Sequence, residues 1–157
     1  MRENGGLRPR GRAVVLLLAL AVAGCGGDGD RAAEADWQGR PELQQGGTVP
    51  VTDFAAFQAE VEARWERSPA LVAGAFLRLD ESDASRTTVG ADAGPESSGP
   101  ATVTVTLEGL QDDSVAAQRY VLRLGREGET WRLQSASWAQ RCQRGRGHQA
   151  FTAEPCL

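Results

Sequence analysis

Near its end the chain reads Cys142-Gln143-Arg144-Gly145-Arg146-Gly147-His148-Gln149-Ala150-Phe151 and reaches Cys156 five residues later. Arg144, Arg146 and His148 stand at alternate positions with glycines between them. In an extended segment that spacing puts three cationic or donor side chains on one side. Guanidinium groups hold carboxylate or phosphate through paired hydrogen bonds, and glycine lets a backbone approach an anion closely. One chemistry for the stretch is therefore an anion-binding loop, for a wall polymer, a lipid headgroup or the acidic patch of a protein. The competing reading is internal: the arginines pair with Asp112 and Asp113 and tie the tail to a turn. Of the two, internal pairing is favoured.

Catalytic readings find less support. Nucleophilic catalysis needs a nucleophile, a base and a group that orients the base, and His148 is the one imidazole in the chain. No nucleophile motif surrounds any serine. Asp112 and Asp113 could do acid–base work across a cleft, but adjacent acids beside Gly109 and Ser114 more commonly form a turn. Gly145-Arg146-Gly147 lacks the Lys-Ser/Thr that a phosphate loop requires, so no cofactor is expected. A hydrolase with a site near His148 and Asp113 is kept as the alternative to a binding module.

Those residues must be carried by something, and the amino end says where. Arg2, Arg8, Arg10 and Arg12 form a positive leader, and Ala13 to Ala23 are apolar. A membrane span needs roughly 20 apolar residues; this run is shorter and ends in Gly24-Cys25-Gly26-Gly27-Asp28. The layout is that of a secretory signal peptide, residues 1–24. Val22-Ala23-Gly24-Cys25 resembles the lipobox of bacterial lipoproteins. The resemblance implies that Cys25 is lipidated and becomes the mature amino terminus, facing the extracytoplasmic side, with its acyl chains anchoring the chain to a membrane.

Of 17 basic residues the leader holds four, and of 21 acidic ones it holds one, so the remainder carries 13 − 20 = −7. A net negative domain argues against nucleic acid as a partner. With Cys25 committed to lipid, Cys142 and Cys156 form an even pair in an exported, disulfide-permissive chain. Closing a loop of about 15 residues contributes about 3 kcal/mol on the chain-entropy model. Two free thiols or a metal pair are the alternatives. A metal is disfavoured because a tetrahedral site lacks a third thiol and has a single histidine to draw on.

Residues 25–50, rich in Gly, Asp, Glu and Gln, are expected to form a flexible tether, with Trp37 either docked or free. A single domain is expected over 51–157. Thr52 and Asp53 suit a helix start, and Phe54, Phe57, Val61 and Trp65 form one stripe. Glu60, Glu62, Arg64 and Glu66 fall off it, with Glu60–Arg64 an i,i+4 pair. Ser68-Pro69 restarts a second helix carrying Leu71, Val72, Ala75, Phe76 and Leu79. A polar stretch follows, with a short strand at Thr87 to Val89.

The period then changes to two. Val103, Val105 and Leu107 alternate with threonines, Tyr120, Leu122 and Leu124 with Arg119, Val121 and Arg123, and a last strand runs from Trp131 to about Trp138. The expectation is an α+β fold: two N-terminal helices on a three- or four-stranded antiparallel sheet, with a C-terminal disulfide-closed loop. Element order is similar to that of the cystatin-like and nuclear-transport-factor-like folds. The tail, with Asp112-Asp113-Ser114 and the Trp65 to Pro69 junction, resembles a group of uncharacterised bacterial envelope or secreted proteins. These end in a cysteine-bounded Gly-Arg-Gly-His-Gln segment. Together these features imply a lipid-anchored binding or accessory module of the cell envelope, whose partner is an envelope protein or wall polymer.

Overall fold

The computed structural model describes residues 36–157; the leader and Cys25 lie outside the described residues. Five antiparallel strands form one sheet in the order β1-β5-β4-β3-β2. They are β1 (Thr48–Val49), β2 (Arg86–Ala91), β3 (Ala101–Glu108), β4 (Val115–Glu127) and β5 (Thr130–Cys142). The last four make an up-and-down meander. The helices α1 (Thr52–Glu60) and α2 (Pro69–Leu77) lie between β1 and β2 in the chain. An α+β fold with an antiparallel sheet is thus present, but two of its expected details are corrected. The described residues hold five strands, and one of them precedes the helices.

Alternation builds the core. Ala101, Val103, Val105 and Leu107 of β3 are buried, as are Tyr120, Leu122 and Leu124 of β4 and Trp131, Leu133 and Ala136 of β5. The register sets Val103 beside Leu122 and Leu122 beside Ala136. In β5 the inward residues change from odd to even numbers between Leu133 and Ala136. A bulge there pairs Arg123 with Ser135 and Leu124 with Leu133, and the extra residue restores the inward set. Between β4 and β5 the two-residue loop Gly128-Glu129 places Gly128 at φ 61°, the conformation that a hairpin turn with glycine first needs.

The helical region departs from the periodicity. α1 stops at Glu60, Val61 is extended, and Arg64–Arg67 form a separate 3-10 turn. Trp65 therefore reaches the aromatic cluster from outside the helix, and Glu60–Arg64 is not an i,i+4 helical pair. Thr52 is the first helical residue, with no side-chain cap on the helix. In α2, Pro69 sits at the first position as expected, and Pro69, Val72, Ala73 and Phe76 are buried while Leu71 is 56% exposed. The helix ends at Leu77, since Arg78 turns left-handed (φ 51°).

The segment before α1 is not free of the domain. The Trp37 ring lies 5.3 Å from Phe54 and 5.5 Å from Phe57, and Trp65 stacks on Phe57 at 6.2 Å. Phe76 of α2 completes the cluster, 5.1 Å from Phe54. β1 pairs Thr48 with Ser137 and Val49 with Ala136, and the carbonyl of Gln44 accepts the Trp138 indole N–H at 2.9 Å. A tryptophan that buries this much apolar surface docks even at the end of a polar stretch.

Candidate functional site

The tail after β5 folds back on it. Gln140 and Thr152 exchange two backbone hydrogen bonds (2.7 and 3.0 Å), and Cys142 and Cys156 are brought to disulfide geometry with Cα atoms 5.5 Å apart. Phe151 lies on the sheet face opposite the helices. There the Arg119 guanidinium stands 3.9 Å and that of Arg141 5.3 Å from its ring centre, a cation–π clamp on the returning segment.

Inside this loop the backbone carbonyls converge. His148 Nδ1 donates to the Ala150 carbonyl at 2.9 Å, and Nε2 donates to the Glu154 carbonyl at 3.0 Å, with Cys142 Sγ 3.3 Å away. Carbonyl oxygens only accept, so each contact is a hydrogen bond only when its ring nitrogen carries a proton. The two carbonyls accordingly raise the His148 pKa above its ordinary value, with the nearby Glu154 charge adding to them. The Gln149 side-chain N–H₂ sits among the carbonyls of Cys142, Gln143, Gly147 and His148, at 3.2–3.4 Å. Gly147 (φ 133°) passes the disulfide so closely that a Cβ there would lie 3.0 Å from Cys142 Sγ. The glycine serves approach to sulfur.

The three residues singled out for an anion thus separate. His148 turns inward. Arg146 faces Asp113 at 3.8 Å across an exposed gap, which ties the tail to the β3–β4 turn only loosely. Asp112 is held within that turn: it accepts from the Ser114 and Val115 backbone N–H groups and the Ser114 hydroxyl, at 2.8–2.9 Å. Those bonds lower its pKa, as expected for a carboxylate that must stay charged to be solvated by donors. Arg144 is exposed and, among the described residues, forms no ion pair. With Arg141, which pairs with Glu108 at 3.1 Å, it borders a polar hollow of about 610 Å³ also lined by Ala116, Cys142, Gln143 and Gln149.

A second polar cluster was not expected from sequence. Glu66, 1% exposed, and Gln58, fully buried, lie between α1, the 3-10 turn and β5. The Gln58 amide donates to the Trp131 carbonyl and accepts from the Leu133 N–H, both at 3.0 Å. It does for β5 what another strand would do beyond the reach of β1. Glu66 accepts from the Ala63 backbone N–H at 3.2 Å and pairs with Arg132, whose guanidinium also donates to the Gln58 carbonyl at 2.6 Å. Nothing in the local pattern distinguishes Glu66 from Glu62; only the end of α1 at Glu60 turns it inward.

Geometrically, then, the site is an α+β domain closed by a disulfide loop, with a doubly hydrogen-bonded imidazole at its centre and Arg144 exposed at its rim. Set against protein-family models, curated proteins and solved structures, the chain matches none. Among the described residues no helix is long and apolar enough to cross a membrane.

Proposed function

We propose that the protein is a lipid-anchored, extracytoplasmic binding or accessory module of the bacterial envelope, held at the membrane through Cys25. The observation that carries the non-catalytic part is the engagement of both His148 nitrogens by carbonyls. A general base needs a free lone pair, and this imidazole offers none until one of those bonds breaks. That engagement weighs against the hydrolase reading near His148 and Asp113, as does the contact of Asp113 with Arg146. Support for the anchor is the leader and Val22-Ala23-Gly24-Cys25. Helices set on one face of an antiparallel meander keep the cystatin-like and nuclear-transport-factor-like analogy as our reading of the architecture.

The binding surface in this reading is the rim of the hollow. Arg144 faces solvent on a chain that is otherwise net acidic, so it favours an anionic group on an envelope protein or wall polymer. Capture from intact envelopes tests this with three chains: native, Cys25→Ser and Arg144→Glu. The native chain is expected in the membrane fraction with its partner. Cys25→Ser should leave that fraction, and Arg144→Glu should stay there and lose the partner. An unmodified Cys25 sulfur in the mass spectrum of the native chain overturns the anchor. Equal capture by Arg144→Glu overturns the surface.

A further inference from the structure

Reduction of the loop would expose a donor set that counting residues obscured. Cys142 Sγ, Cys156 Sγ and a His148 ring nitrogen all lie within 4.8 Å of one another. We infer that, once its disulfide is reduced, the loop binds one thiophilic divalent cation such as Zn²⁺ through Cys142, Cys156 and His148, so that the cross-link and the metal are alternative closures of one loop.

Three features prepare the site without the S–S bond. The loop ends are held independently: Gln140 and Thr152 by two backbone bonds, Cys142 N–H to the His148 carbonyl at 3.0 Å, and Leu157 N–H to the Arg146 carbonyl at 2.8 Å. The Nδ1–H bond to the Ala150 carbonyl holds the ring with Nε2 3.3 Å from Cys142 Sγ, so that Nε2 is the nitrogen left to ligate once it gives up its proton, as the outer partner of a ligating histidine arranges. The Glu154 carbonyl, which gives up its bond from Nε2 on metal binding, keeps its bond from the Gln140 side chain at 2.8 Å. Two thiolates and an imidazole suit a tetrahedral cation whose fourth position is open to water.

The chemistry balances in two steps. A dithiol donor supplies two electrons and two protons, the S–S bond breaks into two thiols, and the donor leaves as its own disulfide. The cation then forms two M–S bonds and one M–N bond, displacing both thiol protons and the Nε2 proton.

Co²⁺ serves as the probe, in the full chain carrying Cys25→Ser so that no third thiol competes. Reduced with a phosphine, which takes its oxygen from water and leaves as the phosphine oxide while the water protons go to the two thiols, the chain should take up one Co²⁺ with a thiolate-to-cobalt absorption band, and Zn²⁺ should bleach it. The oxidised chain should show no band. His148→Ala should weaken binding by about tenfold or more. Paramagnetic shifts of the His148 ring protons in the unsubstituted loop report ligation even if His148→Ala does not fold. Absence of the band in the reduced chain, equal uptake by the oxidised chain, or unshifted His148 resonances in the cobalt-loaded chain overturns the inference.

Discussion

The two polar clusters solve the same problem with opposite chain distances. Around Gln58, Glu66 and Arg132, groups 8, 66 and 75 residues apart meet in the core. Around His148, everything lies within the tail that Cys142 and Cys156 bracket, 14 residues apart. In both, side-chain donors satisfy backbone carbonyls that no strand or helix reaches. The difference is desolvation. Glu66 is almost sealed from water, whereas His148 is half-buried. The first cluster therefore holds the fold together, and the second shapes a surface loop.

Substitutions should separate the two in order of cost. Glu66→Ala leaves the Ala63 N–H unpartnered and Arg132 with only the exposed Glu127 and the Gln58 carbonyl, so the low end of the roughly 3–5 kcal/mol for breaking a buried pair is expected. Urea unfolding should show that loss as one cooperative transition at a lower midpoint. A loss below about 1 kcal/mol would mean that Glu66 is wetter than its burial implies. Replacing Cys142 and Cys156 with alanine removes the cross-link, at about 3 kcal/mol on the chain-entropy model. Hydrogen exchange should rise throughout the tail while the α1 amides keep their order of protection.

Gly147→Ala asks less of the fold and more of the loop. Its φ is in the region that side chains avoid, and its Cβ would crowd Cys142 Sγ, so a cost of about 1–3 kcal/mol is expected. Gly145→Ala, with open space beside it, should differ from it in leaving the disulfide undisturbed, which proteolysis of the tail can compare. At the bottom of the scale, Arg146→Ala removes an exposed contact and should shift stability by about 0–1 kcal/mol.

These contrasts also explain what was legible beforehand. β3 and the inner part of β4 were readable because period two persists for several residues, and the cysteine pair because the proposed export makes an even count meaningful. β1 has two residues and no period to read; it exists because β5 offers an edge. The ends of α1 were hidden because Phe54, Phe57 and Trp65 do share one cluster, so the stripe was right about contact and wrong about a continuous helix. In the tail, alternation suggested three side chains facing one way. Left-handed Gly145 (φ 80°) and Gly147 break the extended geometry on which that depended, turning His148 in and leaving Arg144 out.

The central claim is that the lone imidazole clamps the loop by donating from both ring nitrogens to backbone carbonyls. Its pKa lies above the ordinary 6.5, so the stability it contributes is fully present below about pH 6.5 and is lost as pH rises through the raised folded value. The most direct test is a nitrogen-detected NMR titration of His148 in the oxidised chain. The account predicts a midpoint above 6.5 and, below that midpoint, both ring nitrogens protonated and hydrogen-bonded. A midpoint at or below that value, with one nitrogen bare at neutral pH, would contradict it and return His148 to the candidates for a base.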